Sequence, residues 1–161
     1  GSGFHTYVTG LTHDERGLPA TDGPEAHTRL VRRLCAKIRD NVEALTRVER
    51  DPQDGAELGI ISYGISARAA AGAVKRLRAE KVKVSHLRLI GVHPFPERVV
   101  REFTVPLKRI IVPEMNLGQV YHLVREAVQG DARVDLVSSI GGDINHPRQI
   151  IASALEAKPA E

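Results

Sequence analysis

Val112-Pro113-Glu114-Met115-Asn116-Leu117-Gly118-Gln119 is the stretch whose reading decides the fold. It follows the apolar run Ile110-Ile111-Val112, which has the composition of a buried strand. After it, apolar residues recur at helical spacing at Leu117, Val120, Tyr121, Val124, Ala127 and Val128. The stretch is therefore the loop at the carboxyl end of a strand, running into a helix. Open α/β sheets hold ligands and partners in the crevice beyond such strand ends. Glu114, Asn116 and Gln119 make this loop unusually polar for its length. For Asn116 two readings stand side by side: a cap on the helix backbone, or a group presented to a ligand or partner.

Outward from this loop the pattern alternates strand and helix. Strands are predicted over 58–62, 82–89, 108–112 and 133–138, and helices over 66–80, 96–103, 116–129 and 147–156. The helix over 66–80 is alanine-rich, so it can approach a sheet closely. Such alternation implies a parallel sheet with right-handed crossovers. The two most apolar strands, first and third in the chain, belong in the middle, which gives the spatial order second, first, third, fourth. The switch point then falls between the strand ending at Tyr63 and the strand ending at Val112. The loops Gly64-Ile65-Ser66 and 113–119 face each other there.

The amino-terminal part reads differently. Residues 1–23 form a polar lead-in, with a short strand predicted over 5–9 and an ordered loop over 10–17. A single α/β domain over 24–161 follows, opening on a long amphipathic helix over 24–48. Asp22 and Glu25 suit a capping box, and Pro24 suits a first turn. Leu30, Val31, Leu34, Cys35, Ile38, Val42, Leu45 and Val48 share one face at helical spacing, a stripe roughly 35 Å long. Cys35 lies in that stripe, which predicts a packed, inert thiol. Asp51-Pro52-Gln53-Asp54-Gly55 is a turn cluster.

Composition removes several classes of function. At 161 residues the chain is long enough for one core without disulfides. The net charge of +3 comes from basic residues interleaved with acids, so a nucleic-acid interface has no footprint. One cysteine excludes an internal disulfide framework and a self-contained iron–sulfur cluster. No apolar run is long enough to cross a membrane and no signal peptide is evident, which predicts a cytoplasmic protein.

The remaining motifs carry little chemistry by themselves. Gly64-Ile65-Ser66 opens a helix and could hold an anion on free amides, but Ser66 as a simple N-cap explains the same residues. The glycine spacing of a dinucleotide fingerprint is missing. His13, Asp14 and Glu15 are adjacent, a pattern that suits a turn, and no pair of histidines has converging metal-ligand spacing. No serine sits in a nucleophile elbow. In Gly141-Gly142-Asp143-Ile144-Asn145-His146-Pro147, turn and capping duties are expected for Asp143 and His146.

Three ordered segments together resemble the 2-oxoacid:ferredoxin oxidoreductases, specifically the type acting on 2-oxoglutarate or related 2-oxoacids. They are Val8-Thr9-Gly10-Leu11-Thr12-His13-Asp14-Glu15-Arg16-Gly17, then Pro94-Phe95-Pro96 after Arg88-Leu89, and 112–119. The resemblance is to the carboxy-terminal part of the alpha subunit. It implies a transketolase C-terminal-like domain of three α/β/α layers, with a mostly parallel sheet and one antiparallel edge strand. The whole enzyme implied is a thiamine diphosphate-, magnesium- and iron–sulfur-dependent oxidoreductase. It decarboxylates a 2-oxoacid onto coenzyme A and reduces ferredoxin. This chain lacks the Gly-Asp-Gly…Asn motif for diphosphate and magnesium, so by itself it is expected to bind no cofactor and to be inactive. The family's Gly-Ser-Thr appears here as Gly64-Ile65-Ser66, and no role is carried over to it. The implied role is assembly against the other domains of the subunit and a thiamine-diphosphate-binding beta subunit. The loops His13-Asp14-Glu15-Arg16, Gly64 with Ser66, and Glu114, Asn116, Gly118 and Gln119 are the candidates for contact. Two alternatives remain: a free-standing module that binds coenzyme A or another anion at the switch point, and the carboxy-terminal domain of another thiamine enzyme. The first and third motifs argue against the second alternative.

Overall fold

A computed structural model describes Gly3 and residues 10–156, so the strand expected over 5–9 lies outside the described residues. The chain divides into two compact units, Gly1–Ala44 and Leu45–Glu161.

In the first unit, helix α1 spans Pro24–Arg39, with Pro24 in its first turn as expected. It does not continue to residue 48. The amide of Asp40 still bonds to Ala36 O, and Asn41 turns its side chain back onto Lys37 O at 2.9 Å, closing the helix end. Short polar side chains offer the backbone such alternatives to helix, and here they override an apolar spacing that persists beyond them. Only one further turn, α2 at Val42–Leu45, follows. The expected capping box is also absent: the N-cap is Gly23, with no side-chain bond to the first turn. No residue of α1 is buried, and Cys35 is exposed where a packed thiol was expected.

In the second unit, strands β1 (Val48–Asp51), β2 (Leu58–Tyr63), β3 (Val84–Leu89), β4 (Arg109–Glu114) and β5 (Arg133–Ser138) form one sheet in the order β1-β3-β2-β4-β5. The four later strands are parallel and take the order derived from their apolarity. The antiparallel edge strand that the resemblance implied is β1, paired with β3 from Val48↔Leu89 to Asp51↔His86. Its residues were read as the end of a helix and the start of a turn. Four residues with one apolar side chain carry too little period-two signal to be seen. The edge is held instead by Arg78, whose guanidinium binds the Asp51 carboxylate at 2.9 Å and Val84 O at 2.8 Å.

Alternation along the strands fills both faces. On one face Ile61, Leu87, Leu89, Ile110 and Val112 pack beneath α4 (Glu97–Thr104) and α5 (Gln119–Ala127). On the other, Ile60, Val84 and Ile111 meet Ala70, Ala73, Val74 and Leu77 of α3 (Ser66–Ala79), together with Ile150 of α6 (Pro147–Leu155). The result is three layers. Gly59 of β2 lies directly under Leu107 and Phe103, and an added Cβ would collide with Leu107. Overpacking of this kind costs about 1–3 kcal/mol. Gly59→Val should lower the urea-unfolding stability by that amount, and unchanged stability would show that Leu107 yields freely.

Candidate functional site

The site is built at the ends of β2 and β4, adjacent parallel strands on either side of the switch point. Parallel pairing brings Tyr63 and Glu114, the last residues of the two strands, to the same edge of the sheet. Glu114 is fully buried. Its Oε1 accepts from the Tyr63 hydroxyl and from Val120 N, both at 2.8 Å, and its Oε2 accepts from Tyr121 N at 3.1 Å. A helix begins with amides that have no partner in the helix itself. The Glu114 side chain supplies two of them for α5, reaching forward from the strand.

Asn116 completes the arrangement. Its Oδ1 accepts from Gly118 N at 2.7 Å and Gln119 N at 3.0 Å, while its Nδ2 donates to the Tyr63 oxygen at 2.9 Å. The helix expected from residue 116 therefore starts at Gln119, and Asn116 serves its first amide from two residues outside the cap. Gly118 is the N-cap, at φ +107°, where an L side chain is strained. A Cβ there would also sit 3.2 Å from both Leu136 and Tyr121. Gln119 is exposed. Burial, and next the bond to Glu114, hold the Tyr63 phenol above its ordinary pKa.

The facing loop is occupied in the same way. Ser66 is not an N-cap. It is the first residue of α3, buried, and its Oγ donates to Asn145 Oδ1 at 2.7 Å. Asn145 in turn donates to Val137 O at 3.0 Å and Ser139 Oγ at 3.1 Å. Gly64 is exposed, at φ +53°. His146 does have the capping duty expected of it: Nδ1 accepts from Arg148 N, and Gln149 Oε1 accepts from His146 N at 2.7 Å. The loops flanking the switch point thus meet through paired polar groups.

Sequence reasoning missed Tyr63 and Asn145, on which both networks close. The available signal for Tyr63 was a polar-tipped aromatic ending an otherwise aliphatic strand. A second missed pair is Ser62 and His86, both buried, sharing a hydrogen bond of 2.8 Å through His86 Nε2. His86 also borders a cleft of about 430 Å³ lined by Glu49, Asp51, Ala67 and Arg88. Burial pushes its imidazole below the ordinary histidine pKa, against the nearby Asp51 carboxylate.

In the first unit, His13, Asp14, Glu15 and Arg16 do come together. The Asp14 carboxylate ties the turn by accepting from Arg16 N at 2.9 Å and Leu18 N at 3.0 Å. The Leu18 amide chiefly holds its pKa below the ordinary value. These four residues and Arg29, Leu30 and Arg33 of α1 line a cleft of about 420 Å³. Among the described residues, no three His, Cys, Asp or Glu side chains converge as a metal site, and no helix is long and apolar enough to cross a membrane. Among the described residues, neither a diphosphate-bound magnesium nor an iron–sulfur cluster has a fitting donor set.

A mostly parallel, three-layer unit with an antiparallel edge strand defines an α/β domain of the transketolase C-terminal type. A split-gene transketolase solved as an inactive β4 tetramer shares this fold, with a TM-score of 0.58, 18% identity, and coverage of 66% of this chain and 39% of that one. The profile described as pyruvate:ferredoxin oxidoreductase core domain II matches residues 56–150, and the chain belongs to that family. It is 40% identical to the 2-oxoglutarate synthase subunit KorA of Methanothermobacter marburgensis, over 98% of this chain and 42% of the relative. It is 32% identical to the 2-oxoglutarate oxidoreductase subunit KorA of Mycobacterium tuberculosis, over 94% of this chain and 24% of the relative. The 2-oxoglutarate:ferredoxin oxidoreductase of Magnetococcus marinus was solved with 2-oxoglutarate, coenzyme A and succinyl-CoA bound. It superposes with a TM-score of 0.76 at 28% identity, covering 93% of this chain and 26% of that one. The chain thus spans less than half the length of these oxidoreductase relatives.

Two outcomes follow from the site. Glu114→Ala leaves the buried Val120 amide, the part-buried Tyr121 amide and the Tyr63 hydroxyl without an acceptor, and should cost about 2–4 kcal/mol in denaturant unfolding. Tyr63→Phe should cost about 1 kcal/mol, with positive coupling to Glu114 in a double-mutant cycle. Strict additivity would mean that the network does not act as a unit. For His86 the folded pKa lies below the unfolded value of 6.5. Its contribution is therefore complete above that value and is lost as the pH falls through it, because the unfolded chain then binds the extra proton. Stability should decline more steeply between about pH 7 and pH 5 in the native chain than in His86→Gln. Equal slopes would show that His86 titrates as it does in the unfolded chain.

Proposed function

We propose that this chain is the assembly domain of a thiamine-dependent 2-oxoacid:ferredoxin oxidoreductase alpha subunit, and is not catalytic when isolated. The complete enzyme would decarboxylate a 2-oxoacid such as 2-oxoglutarate onto coenzyme A and pass electrons to ferredoxin, in the cytoplasm. Its partners are the other domains of the subunit and a beta subunit that binds thiamine diphosphate. The observation that carries this reading is the state of the switch-point crevice. Glu114, Tyr63, Asn116, Ser66 and Asn145 are the side chains placed to do chemistry there, and they bind one another and the start of α5. A region so occupied positions loops and has little left to offer a substrate. The identity with KorA relatives across nearly the whole chain supports the choice of enzyme.

The second reading, a module holding coenzyme A or another anion at the switch point, is disfavoured by charge. The loops that follow β2, β3, β4 and β5 contain no lysine or arginine. The deciding experiment is purification of the native complex carrying this sequence, with intact subunit masses and thiamine and iron contents. The expected result is a longer subunit together with both cofactors, alongside no turnover by this chain alone. A lone polypeptide of this size without cofactors, or micromolar coenzyme A binding by the chain in calorimetry, would overturn the proposal.

A further inference from the structure

The two edges of the sheet differ sharply in charge. The loops following the four parallel strands, residues 64–65, 90–96, 115–118 and 139–146, total 21 residues, of which only Asp143 is Asp, Glu, Lys or Arg. The loops leading into the same strands, 52–57, 80–83, 105–108 and 128–132, total 19 residues, and seven are charged. In a chain with 27% charged residues, about five or six charges would be ordinary for the first set. Each loop of that set instead exposes an aliphatic side chain: Ile65 at 50%, Ile90 at 55%, Leu117 at 74%, Ile140 at 60% and Ile144 at 64%. Between Ile65 and Ile144 lies a cleft of about 320 Å³, lined also by Ala69, His146 and Pro147 and bordered by Arg68 of α3. The loops that carry Ile65, Leu117, Ile140 and Ile144 are held by the Glu114 and Asn145 networks, and Ile90 is tied through its amide to Arg47 O.

Depletion of charge at the centre, with aliphatic groups standing out of a fixed frame, is the composition of the core of a protein–protein interface. A membrane surface would call for Lys and Arg beside the apolar groups, and an anionic ligand would call for a cation. These loops contain no Lys or Arg, and Arg68, the one Lys or Arg that borders the cleft, stands on α3. More than half the length of the KorA relative lies outside the part this chain matches, so a large protein surface is available to cover the patch. We infer that the carboxyl-terminal edge of the sheet is a docking face, centred on Leu117, Ile140 and Ile144. Its occupant is an aliphatic, charge-poor face of the oxidoreductase beyond this chain. The inference rests on the functional reading above and specifies which surface performs the assembly.

Hydroxyl-radical footprinting read by mass spectrometry tests it, on the purified native complex and on this chain alone. In the complex, oxidation of Leu117, Ile140 and Ile144 should fall about tenfold, as for side chains in an interface core. Val105, 76% exposed on the opposite edge, serves as the reference. Leu117→Glu with Ile144→Glu should weaken assembly at least about tenfold in native mass spectrometry, because a charge enters an uncharged core, while Val105→Glu should not. Equal oxidation in complex and lone chain, within a complex that carries thiamine and iron, would overturn the docking face and leave the enzyme assignment intact. Concentration-dependent protection in the lone chain would assign the face to a second copy and overturn the inference. Absence of any larger complex would remove both.

Discussion

Glu114 ends a parallel strand in the interior with two amides of the next helix and a tyrosine hydroxyl bound to its oxygens. A buried polar group is costly unless it is paired, and this one is paired only if β2 ends at Tyr63, α5 begins at Gln119 and the loop from β4 to α5 passes through the left-handed conformation at Gly118. One side chain therefore sets the register of a strand end, the start of a helix and the path of the chain between them. Asn145 acts similarly on the other face of the sheet, joining α3 through Ser66 to the end of β5 through Val137 O and Ser139 Oγ. Together the two networks hold every loop that flanks the switch point.

That arrangement bears on function. Open α/β sheets usually reserve the crevice beyond their strand ends for a ligand. Here Glu114, Tyr63, Asn116, Ser66 and Asn145 are tied into the fold, and each flanking loop exposes an aliphatic side chain. The chemistry of recognition shifts from hydrogen bonding and charge to shape and apolar contact. On the proposed reading, such a domain contributes to an enzyme by fitting against its other parts; the chain spans less than half of the KorA relative.

Local competition accounts for the misread segments. The apolar spacing from Leu30 to Val48 is helical throughout, but Asp40 and Asn41 end the helix, and Val48 is taken up by β1 through its pairing with β3. Edge pairing and an Arg78 clamp are long-range events that a four-residue strand does not announce. Ser66 departs from local expectation on a smaller scale: the hydroxyl that would accept from an amide as a cap instead donates to Asn145, 79 residues away.

The sequence by itself determined the alternation of strands and helices, the two central strands and hence the sheet order, because runs of apolar residues must be buried and their period is visible locally. It also marked the loop from 112 to 119 as exceptional and carried the resemblance to its family. What only the tertiary structure decided is the role of that loop's polar residues. Whether Glu114 meets a partner protein or its own helix depends on what parallel pairing places within about 3 Å of it. Tyr63, 51 residues earlier in the chain, becomes its neighbour only when the sheet has formed.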